Sequence, residues 1–161
     1  MKDDGRDPAS ERGKAPRCLI KKGEFMIIIV LKGRGECGKS ETIGIHLREL
    51  LTGRSIPKNE WSRVKDHRES VKYGEKVIVL CPPGDNYDIA EKNTEFIDAH
   101  PCDVVFTASR TRGGSWDKIR DYANEKGAEL VEVWKHYDDD LDRDGQTMEN
   151  RKLAEKLLGM I

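Results

Sequence analysis

The feature that most restricts this chain is an unbroken apolar run, Met26 to Leu31 (MIIIVL), that ends in a glycine-rich segment, KGRGECGKSET, residues 32 to 42. A run without polar alternation has no face to offer to water. It predicts a strand covered on both sides, the situation of a parallel sheet. Parallel strands require long crossovers, usually helical and right-handed, so the rest of the chain should alternate strand and helix.

That alternation is present. GKSETIGIHLRELLTG places Ile43, Leu47, Leu50 and Leu51 on one helical face and ends at Gly53. After a loop, RSIPKNEW, two candidate strands flank the turn KYGE. The first is polar, as an edge strand would be, and the second, KVIVLC, is apolar and central. NYDIAEKNTEFIDAHP reads as a helix capped by Asp85 or Asn86, with Ile89, Phe96 and Ile97 inward. CDVVFTAS is a further buried strand. SWDKIRDYANEKG is a helix with Trp116, Ile119, Tyr122 and Ala123 inward, ELVEVWK a strand, and MENRKLAEKLLGMI a final helix carrying Leu153, Leu157, Leu158 and Ile161 on one stripe. The expected fold is a single three-layer α/β domain over residues 26–161, with about five strands, parallel except for one antiparallel edge strand. Residues 1–25, charged and punctuated by Pro and Gly, read as a disordered extension.

The segment after the first strand matches G-x-x-x-x-G-K-[ST] in full through Gly33, Gly38, Lys39 and Ser40. Glycine lets the chain leave the strand sharply, and Gly35 and Gly38 permit positive φ and close backbone approach. Amides of residues 35 to 40 then converge on phosphate oxygens at a helix N-terminus, where the dipole also favours anions. Lys39 is positioned for β- and γ-phosphates and Ser40 for Mg²⁺. The segment Gly33, Arg34, Gly35, Glu36, Cys37, Gly38, Lys39, Ser40, Glu41 and Thr42 is the expected nucleotide contact. Glu36 and Glu41 are awkward there, since a carboxylate repels phosphate unless it turns away. Thr42 is one position late for a hydroxyl near the α-phosphate.

On these residues the chain resembles the P-loop NTPase superfamily, and with PPGDN and TASRTRGG it also resembles small P-loop proteins of bacteria and phages. The resemblance implies a Mg-bound nucleoside triphosphate, ATP or GTP, and an acidic residue at the end of a neighbouring strand. Only residues 33 to 40 match a specific motif. In the GTPase branch a hairpin leads to a strand ending in D-x-x-G; here the equivalent place reads CPPG, with Cys81 where the acid belongs and Asp85 as the nearest substitute. Asp85 is therefore a candidate for both metal and catalysis, against the plainer role of helix cap. No N-K-x-D follows, so guanine specificity lacks its signature. Arg110 and Arg112, just past DVVF, should reach the same sheet edge and are candidates to offset phosphoryl charge, or else simply to pair with Asp85 or Asp117.

Composition sets the remaining bounds. Charged residues make up 37% of 161, well above the ~25% of ordinary domains, yet 29 bases against 30 acids leave a net charge of -1. Nothing global points to nucleic acid, and no apolar run approaches the ~20 residues of a membrane span. Cys18, Cys37, Cys81 and Cys102 fit no zinc spacing, which with no secretory signal suggests reduced thiols in a cytoplasm. Cys37 in the loop and Cys81 on a strand expected beside it should lie close in space, more plainly as buried free thiols than as a disulfide. DLDRDG (140–145) begins like a calcium loop but has Arg151 at the twelfth position, so it reads as an acidic turn capping the last helix. Two functions fit: an NTPase or small kinase, its acceptor or protein partner unnamed by the sequence, or a binding module with a degenerate loop.

Overall fold

The structure, a computed structural model, describes residues 25–161. The expected N-terminal extension, with Cys18, lies outside those residues apart from Phe25. The chain forms one α/β domain around a five-stranded sheet of order β2-β3-β4-β1-β5. Its strands are β1 (Ile27–Lys32), β2 (Glu69–Tyr73), β3 (Lys76–Cys81), β4 (Val104–Ser109) and β5 (Glu129–Trp134). β1 pairs in parallel with β4 on one side and β5 on the other, β3 with β4 likewise, and only the edge pair β2–β3 is antiparallel. The polar edge strand and the apolar β3 are as their sequences require. Gly74, at φ 62°, supplies the left-handed residue of their two-residue turn.

Helices cover both faces. The first helix, α1, is one continuous rod of three pieces: Lys39–Glu41, a π-helical stretch Thr42–Leu47, and Arg48–Thr52, ended by left-handed Gly53. A short α2 (Trp61–Val64) lies in a stretch whose sequence reads as loop. α3 (Tyr87–Ala99), α4 (Gly114–Lys126) and α5 (Arg143–Leu158) follow. α5 starts five residues before the expected MENRK, because Asp142 caps it by accepting a hydrogen bond from the Gly145 amide at 2.8 Å. Period-two alternation along β1 sorts the core. Ile29 and Leu31 face α1 and α5 together with Ile43, Leu47, Phe106 and Leu157. Ile28 and Val30 face α3 and α4 with Val105, Ile97, Ile119 and Tyr122. Lys32 continues the second face as a buried ammonium, 3.6 Å above the Trp116 ring and 3.2 Å from Glu132. Among the described residues no helix is long and apolar enough to cross a membrane.

β4 lies between β1 and β3, so the expectation that Cys81 borders the loop strand does not hold. Cys81 points into the α3–α4 core, its thiol pushed up to about 12 by burial, while Cys37 packs on the α1–α5 side beside the Lys135 carbonyl. These thiols are separate and free.

The π-helical stretch has a close neighbour. A Cβ on Gly44 would overlap the backbone carbonyl of Lys65, and Arg48 Nε bonds the Gly44 carbonyl at 2.8 Å while its guanidinium also reaches Glu69 and the His67 carbonyl. Glycine to alanine inside a helix ordinarily stabilises by roughly 1 kcal/mol. Gly44→Ala is expected to do the reverse, lowering stability by about 2 kcal/mol through overpacking, as read from urea unfolding midpoints. A stabilised variant would show that the 65–68 segment does not seat on α1.

Candidate functional site

Four strands, β1, β3, β4 and β5, end at one edge of the sheet, and a cleft of about 790 Å³ opens there. One wall is the glycine-rich loop from Glu36 to Ser40 with the start of α1; the other is formed by residues 65–68, Pro83, Asp85 and the first turns of α3.

The loop is held at both ends. The Gly33 amide bonds the Ser109 carbonyl at 3.2 Å, extending the β1–β4 ladder by one residue. At the other end the Gly38 carbonyl accepts from the Thr42 amide at 3.0 Å and from Thr42 Oγ1 at 2.7 Å. That is the first helical bond, so the amides of Lys39, Ser40 and Glu41 have no intrahelical acceptor and form the donor end of the rod. Lys39 is only 5% exposed, and its Nζ donates to the Gly33 and Arg34 carbonyls at 2.7 Å each. Burial pulls this lysine below its usual pKa; Cys37 and Asp85 act against that shift and Arg110 adds to it. The Ser40 side chain is half-buried on the cleft wall.

The glycines divide the work differently from the sequence expectation. Gly38 has the positive φ, 102°, but Gly35 does not; Glu36 takes the second left-handed position at φ 56°. Gly35 lies under the Arg110 guanidinium, which would have to shift to admit a Cβ 2.7 Å away. Gly33 likewise leaves room for the Lys135 carbonyl and Cys37 Sγ. Arg34 points outward over the Tyr137 ring, 4.5 Å from its centroid.

Glu41 does not confront the cleft as an open charge. His46 Nε2 stands 2.9 Å from its carboxylate, and Asn150 and Thr147 of α5 approach the same group. Burial pushes the Glu41 carboxyl up, but hydrogen bonds from His46, Asn150 and Thr147 outweigh it and hold the group below the usual carboxylate range. Thr42 is fully buried, with its hydroxyl donating to the Gly38 carbonyl.

Asn86, not Asp85, caps α3, its Oδ1 accepting from the Ile89 amide at 2.9 Å. Asp85 is left at the cleft mouth, 3.6 Å from Arg110 Nε and close enough to Lys39 to act on its charge. Gly84 makes this possible: a Cβ there would overlap the Ala108 carbonyl, so only glycine lets the PPG turn lie across the end of β4. The two arginines separate. Both are exposed and outside the cleft lining, but Arg110 lies against Gly35 and pairs with Asp85, itself a lining residue. The strand beside β1 ends in Ser109 rather than an acid, because the CPPG strand is one place further out.

Several cleft residues escaped sequence reasoning. Lys65, Arg68, Lys92 and Arg143 line it, as does Asn150, which packs on Gly38. In a chain with 37% charged residues none of these stands out. Comparisons with protein-family models, curated proteins and solved structures found no match to the chain.

The Glu41 cluster sets a pH dependence. A carboxyl whose folded pKa lies below its unfolded value, 4.5, contributes stability that is fully present above that pH and lost as pH falls through the folded pKa. Glu41→Gln is therefore expected to cost about 1–2 kcal/mol at neutral pH. The gap from wild type should shrink once pH drops below 4.5. Denaturant melts at a series of pH values check this, and a gap independent of pH would contradict it.

Proposed function

We propose that the chain binds a nucleoside triphosphate, ATP or GTP, with Mg²⁺ through residues 33 to 41, and passes its terminal phosphoryl group to water or to a small acceptor. The observation that carries this reading is the lysine under the loop. Lys39 is buried, donates two of its three N–H bonds to loop carbonyls, and is set beside the three amides of α1 that lack an intrahelical acceptor. An ammonium kept in that position at the cost of desolvation, next to oriented donors, makes chemical sense when an anion completes the site.

The donor set suits magnesium as well. Ser40 and Asp85 are a hydroxyl and a carboxylate on facing parts of the cleft wall, and Mg²⁺ typically takes one or two protein oxygens beside phosphates and water. When bound it supplies charge neutralisation at the phosphates. Lys39 and the α1 amides orient the polyphosphate, and Arg110 offsets charge as the γ-phosphorus bond to the bridging oxygen breaks. The incoming oxygen takes the phosphoryl group, the diphosphate leaves, and the acceptor's proton goes to solvent. A second reading, nucleotide binding without turnover, draws on the Ser109 strand end and on the Asp85–Arg110 pair, which leaves no carboxylate free beside β1.

Calorimetry with MgATP and MgGTP should show binding that Lys39→Ala weakens by at least about tenfold, as removal of a charge-assisted phosphate contact requires. In single-turnover cleavage Arg110→Ala is expected to lower the rate more than the affinity, and Arg112→Ala to leave both unchanged. Equal affinity of wild type and Lys39→Ala would sink the reading. Binding without cleavage would select the second one.

A further inference from the structure

The wall facing the phosphate loop carries an arginine of unusual standing. Arg68, in the segment leading into β2, is half-buried and lines the cleft. Its Nε donates to Asn93 Oδ1 at 2.6 Å. Asn93 is itself wholly buried on α3, and its Nδ2 donates to the Pro83 carbonyl at 2.7 Å and lies 3.4 Å from Thr107 Oγ1. Thr107 in turn bonds the Cys81 carbonyl at 2.9 Å. A chain of neutral hydrogen bonds thus fixes the guanidinium against the ends of β3 and β4.

A surface brace does not explain this arrangement fully. Arg34, Arg48, Arg63, Arg110 and Arg120 each stand against a carboxylate. Among the described residues Arg54, Arg112, Arg143, Arg151 and Arg68 stand against none; the first four are exposed, and Arg68 alone of these is half-buried. Only Nε is engaged by Asn93, so the two terminal nitrogens keep their planar, bidentate donor edge. Lys65 and Lys92 line the cleft beside it, with Asp66 and Asp85 as the acids of that wall, leaving an excess of one positive charge, and Asp85 is already paired with Arg110. A phosphomonoester carries about -1.5 to -2 at neutral pH. The loop wall already provides its own lysine and amides for a polyphosphate.

We infer that Arg68, held by Asn93 and flanked by Lys65 and Lys92, forms a second anion subsite in the cleft that takes the phosphate group of a second, phosphorylated substrate. This rests on the phosphate-loop reading and deepens it by naming the chemical class of the acceptor. The guanidinium is oriented before the ligand arrives, so less ordering opposes binding. The remaining source of the same chemistry is the nucleotide's own outer phosphate, and the test separates the two.

Inorganic phosphate is titrated, by ³¹P NMR and calorimetry, into the protein with and without saturating Mg²⁺ and the β,γ-imido analogue of ATP. Wild type is expected to bind phosphate with the analogue in place. Arg68→Gln should weaken that binding by about tenfold, the loss of a charge-assisted pair, while changing the analogue's affinity less than about twofold. Lys92→Gln, an exposed change on α3 that disturbs no buried bond, should weaken phosphate by a smaller factor in the same direction, so the result does not hang on whether Arg68→Gln folds well. Lys39→Ala should lose the analogue and keep phosphate. Phosphate affinity unchanged in both Arg68→Gln and Lys92→Gln overturns the subsite and leaves Arg68 a brace. A loss of analogue in Arg68→Gln as large as in Lys39→Ala also overturns it, assigning Arg68 to the nucleotide. Failure of wild type to bind the analogue counts against the phosphate-loop reading alone, and the titration of unloaded protein then still decides the role of Arg68.

Discussion

The hydrogen bonds from Lys39 Nζ to the carbonyls of Gly33 and Arg34 are the interaction on which the rest of the site depends. A nearly buried ammonium must find acceptors, and here the nearest are at the beginning of the loop that the lysine ends. Satisfying it folds residues 33 to 39 back on themselves. That closure sets where α1 begins, hence which amides lack acceptors, and it turns the Gly35 backbone toward β4. Arg110 lies on Gly35 where no Cβ intervenes, and Gly84, flat on the Ala108 backbone, brings Asp85 within reach of Arg110.

The same closure creates a charge problem, and α5 solves it. Placing Glu41 in the first turn of α1 brings a carboxylate to the cleft beside the buried Lys39. His46, one turn further along the rod, and Asn150 and Thr147 from α5 draw it away. The loop wall thus leans on the last helix of the chain. Asn150 Oδ1 has no hydrogen-bond partner, and the His46 ring, edge-on to Trp61, leaves Nδ1 without one too. These are the least satisfied buried atoms near the loop, and they lie where the π-helical stretch departs from regular helix geometry. π-helical insertions recur at functional sites in other proteins.

The far wall is organised by amides rather than charges. Asn93 joins α3, the PPG turn, β4 and Arg68 through one side chain. Burying an amide with its hydrogen-bonding groups engaged is tolerable; burying an unpaired charge is not. Arg68 therefore keeps its charge at the cleft surface and gives only Nε to the interior. On this wall the buried polar atoms are paired within the protein, whereas the loop wall keeps two that are not, Asn150 Oδ1 and His46 Nδ1.

Much of the fold was legible because it rests on period and punctuation. MIIIVL, KVIVLC and DVVF have no solvent face, and Gly53 and Gly127 end helices by taking left-handed conformations, so the strands and helices of an α/β sheet could be read directly. The glycine-rich pattern and its buried lysine were legible for the same reason: the pattern lies in contiguous residues. Strand order was legible only in part: the polar β2 was expected at the edge, whereas β3 and β4 are equally apolar and carry no local sign of which lies beside β1. The pairing of Arg110 with Asp85, the hydrogen bonds on Glu41 and the bond from Arg68 to Asn93 depend on which atoms meet across segments far apart in the chain. The sequence by itself determined the layered architecture, the loop and its lysine, since these follow from local chemistry. Only the tertiary structure decided which charges face the cleft, because in a chain this rich in charge that is settled by which side chains find partners elsewhere.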